Sequence, residues 1–434
     1  MRYVRRDTLL NLKQMPSGHA FIQCLRCRCS LQRDNSLWRR MGATLEDKVR
    51  WRSAVADGRH FVHRRSVLQG LTAAILSTQS SRALFAAPSV TALPMSAFAT
   101  GFNLPGVCDV PPEQARLPSR RLLGYLAKRG FRSVRLPVDP ELCAKGGAHF
   151  SGCLDAAAKA ILGAGLSLSF ELHPGVAAGA LLRADPAKGG ELIAAAWHRL
   201  AAEAYRLPSS RVALELLNEP PLTTADWRGL RQNLVDEIRK AAPNHTLVWS
   251  AAQNQTIEET VADAGPTDTN AIAAVHYYYP MIFTHQGQTW DRSPYDAIHQ
   301  LPFPFDADDP QVVAIASHLR AAGRADSLNA LIAETEKPWT QARIDRDFAS
   351  LRAWSQSSGW PVVVNEFGVY RDFALQGDRV RWLGAVRRAA EINGFGWCHW
   401  EFDHGFGFTR SREDASLIDE DVMAALLGPD EARN

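Results

Sequence analysis

The chain contains 434 residues, of which 46% are hydrophobic and 22% are charged, so it can bury a large core and is not disordered as a whole. No apolar run in the sequence reaches the roughly 18 to 20 residues of a membrane span, so we expect no membrane domain. The formal net charge is +3, but residues 1–65 hold 15 Lys and Arg against 5 Asp and Glu, which leaves 34 basic and 41 acidic residues for the rest. An acidic body lacks the basic surface that nucleic-acid binding requires, and it weakly disfavours acidic polymers as substrates.

The first predicted element is an export signal at residues 64–87. Arg64 and Arg65 precede a short, mildly apolar stretch at 70–76, and small residues follow up to position 87. This order is typical of a secretory signal, and the arginine pair resembles a twin-arginine signal, although Val67 and Gln69 stand where that motif prefers Phe and Lys. Cleavage is expected near residue 83 or near residue 87. We therefore predict export to the periplasm or the extracellular space, with an ordinary basic linker as the alternative.

Residues 1–63 form an extension ahead of this signal. Secretory signals are usually about 15–30 residues long in total, so the arginine pair lies unusually far from Met1. Either translation starts downstream, at Met41 or at a codon nearer Arg64, or residues 1–40 are a genuine disordered extension; we favour the first. Three cysteines, at positions 24, 27 and 29, have only His19 as a nearby fourth ligand, so we interpret them as incidental thiols and not as a zinc site.

The body alternates β-rich runs with helical patterns. The β-rich runs are 97–103, 133–136, 167–172, 212–217, 246–250, 272–278, 362–366 and 395–400, and the clearest amphipathic stretches between them are 120–129, 154–163, 190–205 and 227–240. Eight strand–helix units predict an α/β fold of the (β/α)8 TIM-barrel type. A doubly wound sheet is the rival, but residues 101–106 are not its glycine-rich phosphate fingerprint. We therefore predict that 88–434 is one monomeric domain, with a long insertion at 280–360 after strand six.

Four cysteines lie in the body, and in an exported protein they can pair. Cys143 and Cys153 bracket a short glycine-rich loop, so they are candidates for a local disulfide, and Cys108 competes for either. Cys398 lies inside a predicted strand and is expected to be a buried free thiol.

Polar residues gather where the predicted strands end, which is where TIM barrels build their chemistry. These residues are Arg135 on strand two, Glu171 and His173 on three, Asn218 and Glu219 on four, His276 and Tyr278 on six, Glu366 on seven, and Trp400 and Asp403 on eight. Each one alone has an ordinary structural explanation. Their joint placement at one end of successive strands indicates an active site.

Glu219 and Glu366 end strands four and seven, which face each other across a barrel. A glycosidase needs two such carboxyls beside the scissile bond, one protonated and one ionised, in different environments. Arg135 beside Glu366 would hold that carboxyl ionised, and Asn218 is placed to bind the 2-hydroxyl of a sugar.

Strand six and strand eight supply aromatic candidates. Strand alternation puts Tyr278 on the same face as His276, so the tyrosine hydroxyl can reach the nucleophile. Trp400 offers a flat apolar face for a sugar ring.

With these motifs in order, residues 95–410 resemble glycoside hydrolase family 5, the old cellulase family A. The matching motifs are Gly101-Phe102-Asn103-Leu104, Arg135, His173, Asn218-Glu219-Pro220, His276 with Tyr278, Glu366-Phe367-Gly368, and Trp400, with Trp397 as the other register. The resemblance implies retaining double displacement with Glu366 as nucleophile, Glu219 as acid/base, carboxyls about 5 to 5.5 Å apart, and neither metal nor cofactor.

The resemblance leaves the substrate and several residues open. Family members cleave cellulose, mixed-linkage glucan, mannan, xyloglucan and other β-linked chains; we expect an endo-β-1,4-glucanase first and a β-mannanase second. A non-catalytic barrel that only binds polysaccharide is the alternative from another class, although two intact glutamates argue against it. Glu171 is either an active-site neighbour or a buried partner, and Glu215 is expected in a structural ion pair. Possible sugar subsites, each equally explained by packing, are Trp249, Gln253, Asn254, Trp290 and Asp403.

Overall fold

The computed structural model describes residues 93–428. The predicted extension at 1–63, with its three cysteines, and the predicted signal at 64–87 lie outside these residues. Within the described range, no helix combines the length and the apolar character needed to cross a membrane.

Eight parallel strands close into a barrel in chain order, which confirms the predicted fold. The strands are β1 (Gly101–Asn103), β2 (Ser133–Val138), β3 (Ser167–Leu172), β4 (Val212–Glu215), β5 (Thr246–Ser250), β6 (Ala271–His276), β7 (Val362–Glu366) and β8 (Gly396–His399). The barrel closes where β1 pairs with β8, at Gly101 with Cys398 and at Phe102 with His399. All eight strands are buried along their whole length, as expected for a sheet covered on both faces.

Helices surround the barrel. They are α1 (Arg120–Arg129), α2 (Pro140–Lys145), α3 (Ala148–Gly163), α4 (Val176–Ala184), α5 (Pro186–Ala204), α6 (Thr224–Ala241), α7 (Ile257–Val261), α8 (Met281–Thr284), α9 (Pro310–Ala321), α10 (Ala325–Thr335), α11 (Gln341–Ser358), α12 (Gln376–Ile392) and α13 (Glu420–Leu427). Two tryptophans tie helices to strand ends: Trp197 of α5 donates its indole N–H to the carbonyl of Leu216, and Trp227 of α6 donates to that of Ser250. Both indoles are fully buried, so they fix the ends of β4 and β5 below the site.

Several strand ends differ from the sequence prediction. Residues 95–98 form a 3₁₀ helix ahead of β1, where we expected strand from residue 97. Residues 216–217 and 277–278 follow the ends of β4 and β6, although their side chains are typical of strands. Tyr277 keeps one bond to the neighbouring strand, from its backbone N–H to the carbonyl of Glu366. The ladder ends there because the chain turns into the loops of the barrel rim.

The predicted insertion after strand six is present. Four helices, α8 to α11, lie between β6 and β7. The last of them, α11, is the helix that completes the strand–helix unit, so the true excursion runs from residue 277 to 340. Met281, His285 and Trp290 from this excursion line the cleft described below, which places the insertion at the carboxyl end of the barrel strands.

The cysteines do not pair as the loop between Cys143 and Cys153 had suggested. All four described cysteines are free thiols. Cys143 lies on α2 and its thiol donates to the carbonyl of Ala196, whereas Cys153 lies on α3 with its sulfur 4.0 Å from that of Cys108. Cys398 is buried and free, as predicted.

Candidate active site

A cleft of about 1080 Å³ opens at the carboxyl end of the barrel strands. Seven of the eight predicted site residues line it: His173, Asn218, Glu219, His276, Tyr278, Glu366 and Trp400. The eighth, Arg135, lies directly beneath and bonds to Glu366. The structure therefore brings the residues predicted from six different strands into one place.

Arg135 is the fixed point below the cleft. Its guanidinium is 1% exposed, and each of its five N–H groups has an acceptor. Two are bidentate to Glu215 at 2.8 Å, one reaches Glu366 at 2.6 Å, and the others reach the side-chain oxygens of Asn103 and Asn218. Glu215 is thus a buried ion-pair partner, in line with its predicted structural role.

Glu366 is held at both carboxyl oxygens. Oε1 accepts from Arg135 at 2.6 Å, and Oε2 accepts from the hydroxyl of Tyr278 at 2.9 Å. Burial raises the pKa of this carboxyl above its ordinary value, and the nearby positive charge of Arg135 offsets part of that rise. Because both oxygens accept hydrogen bonds, the geometry suits the ionised form, which is an acceptor only.

Glu219 lies opposite in a different environment. Its side chain is 39% exposed to the cleft, and Oε1 lies 2.8 Å from Nδ1 of His276. Withdrawal from bulk water raises the pKa of Glu219 to about 7, with smaller contributions from neighbouring charges. A carboxyl with this pKa can carry a proton near neutral pH and give it to a bound molecule.

The two carboxyls and His276 form one tight group. One oxygen of Glu219, one of Glu366 and a ring nitrogen of His276 all lie within 4.8 Å of one another. Among the described residues this is also the set that has metal-ligand spacing. Both Glu366 oxygens already accept hydrogen bonds, from Arg135 and from Tyr278. Burial lowers the pKa of His276 to about 4, so its ring is neutral at physiological pH.

The third strand contributes a charged histidine beside the aromatic wall. Nδ1 of His173 lies 2.7 Å from Oε1 of Glu171, and the His173 ring stacks on Trp400 with centroids 5.7 Å apart. Burial lowers the pKa of His173, but the negative charge and hydrogen bond of Glu171 outweigh it and raise the net value to about 9. Glu171 is therefore the buried partner of His173. Trp397, the other register for the aromatic position, is fully buried away from the cleft.

The match between this chain and a protein-family model identifies its family. The model of the family described as cellulase (glycosyl hydrolase family 5) matches residues 96–404, well over half of the chain. The chain belongs to glycosyl hydrolase family 5. The resemblance seen in its motifs is thereby confirmed.

Curated relatives of this family 5 chain include two proteins that are enzymes by name. Endoglucanase 3 of Fibrobacter succinogenes is 27% identical over 314 residues, which cover 68% of this chain and 47% of the relative. Cellodextrinase A of Ruminococcus flavefaciens is 26% identical over 207 residues, which cover 44% of this chain and 61% of the relative. The chain thus spans about half the length of the first relative and somewhat more of the second.

Solved structures of similar fold agree with the barrel. Cel5A of Thermotoga maritima in complex with cellobiose is 23% identical with a TM-score of 0.63, over 76% of this chain and 98% of that one. The same enzyme in complex with mannotriose gives 22% and 0.62, with the same coverage. Cellulose synthase subunit Z of Clostridioides difficile gives 20% and 0.62, over 76% and 99%. At these identities the likeness concerns the fold alone.

The possible subsites named from the sequence divide into two groups. Asn254, Trp290 and Asp403 line the cleft of the family 5 barrel. Trp249 does not, because it is fully buried against two other tryptophans. Gln253 points away and bonds to the carbonyl of Leu222.

Sequence reasoning missed several cleft residues. His285, Tyr370, Glu401 and Phe406 line the cleft, and Gln255 bonds to the backbone of Glu219. Glu401 directly follows Trp400, so its position was a usable signal. Gln255 is a single glutamine in a loop, and no sequence pattern distinguishes it.

Proposed function

We propose that the chain is a retaining glycoside hydrolase that cleaves internal β-1,4 bonds of a β-glucan. The observation that carries this proposal is the pair Glu219 and Glu366, which approach within 4.8 Å across the cleft in unlike environments. Retaining enzymes hold their carboxyls about 5 to 5.5 Å apart, whereas inverting enzymes need roughly 6.5–9.5 Å to admit a water between them. The close approach supports a nucleophile and an acid/base over two carboxyls that activate water directly.

In the first step, Oε2 or Oε1 of Glu366 attacks the anomeric carbon as the bond to the leaving oxygen breaks. Glu219 transfers its proton to that oxygen, so the leaving sugar departs as an alcohol and a glycosyl ester remains on Glu366. Arg135 and Tyr278 position the attacking carboxylate, and their hydrogen bonds stabilise its negative charge until the glycosyl ester forms.

In the second step, water attacks the same carbon while Glu219, now ionised, takes its proton. The ester bond breaks, Glu366 recovers its charge, and Glu219 is again protonated. The neutral ring of His276, 2.8 Å from Glu219, keeps that carboxyl in place during both proton transfers.

The substrate proposal rests on relatives and on the cleft wall. Relatives are named endoglucanase and cellodextrinase, which favours a β-1,4-glucan. A β-mannan is the second candidate, because a structure of similar fold was solved with mannotriose. Trp400 and the half-exposed Trp290 provide flat faces for neutral sugar rings. A barrel that only binds polysaccharide has no use for two positioned glutamates.

The test is sugar release by purified residues 88–434 from carboxymethyl cellulose, barley β-glucan and glucomannan, side by side, with Glu366→Gln as control. Release from the first two that is lost in the control would establish a β-1,4-glucanase. Cleavage of glucomannan alone would move the assignment to β-mannanase. If a folded protein releases no sugar from any of the three, the result would contradict both the glucanase and the mannanase assignments and favour a barrel that only binds polysaccharide.

The pH dependence should reveal the acid. We expect kcat/KM on β-glucan to fall as the pH rises through about 7, because Glu219 must be protonated to act and its pKa lies there. The charges of His173 and Arg135 lower this pKa and that of Glu171 raises it. The pH at which kcat/KM falls, the alkaline limb of the profile, therefore reports these charges together with burial. Profiles between about pH 5 and pH 9 would measure it. Glu219→Ala should lose the alkaline limb and about 10²- to 10⁴-fold in rate; a limb that survives this substitution would contradict the assignment.

We further propose that the protein is exported, because residues 64–87 have the order of a secretory signal. Mass spectrometry of the mature N-terminus in the producing cell tests this. A terminus near residue 83 or 87 supports export, and one near Met1 contradicts it.

In an oxidising compartment we expect Cys108 and Cys153 to form a disulfide. Their sulfurs are 4.0 Å apart, and Cys153 is partly exposed to an incoming disulfide oxidant, which would be reduced as the two thiols lose their hydrogens. The bridge would tie α3 to the loop after β1, and Cys153→Ser should then cost about 2–4 kcal/mol of unfolding free energy. Peptide mapping of the exported, unreduced protein checks the pairing. Recovery of both thiols alkylated without reductant would contradict it, and Cys143 serves as the unpaired control.

A further inference from the structure

The loop after β5, residues 251–256, contacts the backbone of the loop that carries Glu219. The backbone N–H of Glu219 donates to Oε1 of Gln255 at 2.6 Å. The N–H of Gln253 donates to the carbonyl of Pro220 at 2.8 Å. These residues lie far apart in sequence and meet because β4 and β5 are neighbours in the barrel. Gln255 is fully buried, and the mechanism above gives it no role.

Both loops contain non-glycine residues in the left-handed backbone region. Glu219 has φ +38°, Gln253 +63° and Gln255 +54°. In the described part of the chain, Gln300 is the other non-glycine residue with positive φ. Such conformations are uncommon for residues with a Cβ and persist where surrounding contacts hold them. The bond from the Glu219 N–H to Gln255 is such a contact, and it fixes the direction in which the Glu219 side chain leaves the backbone.

Gln255 also fixes the partner of the Glu219 carboxyl. Its backbone carbonyl accepts from the N–H of His276 at 2.9 Å. The ring of His276 in turn lies 2.8 Å from Oε1 of Glu219. One residue therefore sets the backbone at both ends of the Glu219–His276 contact.

The side-chain amide of Gln255 is used on one side only. Its oxygen must face Glu219, because a backbone N–H can only donate. Its Nε2 is buried and has no hydrogen-bond partner among residues 93–428. A buried unpaired N–H costs free energy, so this position is poorly explained by stability alone. What the position supplies is an acceptor oxygen, and a glutamate there would supply one in either protonation state.

We propose that Gln255 is the positioning residue for the acid/base: its buried oxygen anchors the Glu219 backbone so that the carboxyl reaches both the leaving oxygen and His276. This inference rests on the proposed function, because it takes Glu219 as the proton donor. In this inference Gln255 does not contact substrate, but it determines the position of the proton-donating carboxyl of Glu219.

The test separates proton donation from everything else through the leaving group. Phenyl β-cellobioside needs a proton on its departing oxygen, whereas 2,4-dinitrophenyl β-cellobioside does not. Gln255→Met keeps the length of the side chain and removes the acceptor. We expect kcat/KM for the phenyl substrate to fall about 10²-fold, as misplacement of a catalytic group predicts. For the dinitrophenyl substrate kcat/KM should stay near the wild-type value, while kcat and KM fall together because the second step still needs Glu219 as base.

Two further variants make the result specific. Gln255→Glu restores the acceptor and should bring the ratio of the two kcat/KM values back toward that of the wild type. Gln286→Met is the matched control: Gln286 is also fully buried, and its Oε1 accepts from the backbone N–H of Leu301 at 2.8 Å, away from either glutamate. Its losses, if any, should be equal on the two substrates.

The outcomes distinguish this inference from the function on which it rests. Equal losses on both substrates in folded Gln255→Met would overturn the inference, provided that Glu219→Ala shows the leaving-group effect. If Gln255→Met does not fold, Gln255→Glu takes its place. A folded Gln255→Glu whose ratio of kcat/KM for the phenyl substrate to kcat/KM for the dinitrophenyl substrate is far below that of the wild type would then overturn the inference. A wild-type protein inactive on both cellobiosides and on their mannobioside counterparts would overturn the proposed function and this inference with it.

Discussion

Glu366→Gln should lower turnover of β-glucan on the order of 10⁴-fold or more and leave the barrel folded. The amide has no charge with which to attack the anomeric carbon, so no glycosyl ester forms. The fold should persist because Arg135 keeps its bonds to Glu215, Asn103 and Asn218, and the new amide oxygen can still accept the remaining N–H. Activity on the dinitrophenyl cellobioside should fall as steeply as on the polymer, since a good leaving group does not replace a nucleophile.

Steady-state rates and thermal unfolding of the same preparation measure both halves of this expectation. Glu401→Gln is the matched control, because Glu401 is a buried carboxyl of the same cleft whose hydrogen bonds go to His404 and to the backbone of Phe406. Its loss should be far smaller. A second variant, Glu366→Ala, should regain turnover with azide and yield the α-glycosyl azide, because azide then attacks from the face that Glu366 occupied. Near-normal activity of pure Glu366→Gln would refute the mechanism.

The sequence was sufficient for the barrel and for the position of its chemistry. Strands buried on both faces appear as short apolar runs, and helices between them keep a 3.6-residue period, so eight repeats of that alternation predict a closed parallel sheet. The carboxyl ends of those strands converge, so residues such as Arg135, Glu219 and Glu366 could be assigned to one cleft before any distance was known. Each of these positions follows from local pattern and strand order.

Contacts between loops could not be predicted in the same way. Gln255 meets Glu219 only through the paths of two irregular loops, and Cys153 meets Cys108 only through the packing of α3, so spacing along the chain carries no signal for either. Trp249 was a possible subsite because it ends a strand, but its side chain packs outward among other tryptophans. Whether a strand-end residue faces the barrel axis or the helices depends on a one-residue register that short strands specify poorly.

Arg135→Met should lower the free energy of unfolding by about 3–5 kcal/mol, which is a large part of the roughly 5–15 kcal/mol that holds a domain together. The substitution removes five donors at once from a site that is closed to water. Glu215 loses two bonds, Glu366 loses one, and Glu171 loses the positive charge 3.6 Å away. Breaking a buried pair from one side is costly because the remaining charges stay desolvated. The stability of Arg135→Lys should lie between that of the wild-type protein and that of Arg135→Met, since lysine keeps the charge but provides three donors where five are needed.

The pH dependence of this loss gives it a signature. In the wild-type protein burial raises the pKa of Glu171, but Arg135 and His173 outweigh it and the net pKa is lowered. Glu171 therefore stabilises the fold above its unfolded pKa, and that contribution is lost as the pH falls through the folded value. Without Arg135, burial is opposed mainly by the charge and hydrogen bond of His173, so the folded pKa of Glu171 should rise toward its unfolded value. The sign stays the same, but the contribution that acidification removes is smaller, so the stability of the variant should fall less steeply as the pH is lowered.

Urea unfolding of both proteins at several pH values measures the change in slope. Arg379→Met is the matched control: Arg379 is equally buried, but it donates to the carbonyls of Val369, Phe406 and Gly407, and its acidic neighbour Asp419 is part-exposed at 3.5 Å. That variant should be destabilised but keep the wild-type slope, because Glu171 retains both Arg135 and His173. Adding Glu215→Gln to Arg135→Met should recover part of the lost stability, since it removes the carboxylate that had held two of the five bonds. A double variant less stable than Arg135→Met would show that the buried charges are not the cause, and that the arginine matters through its packing in the barrel.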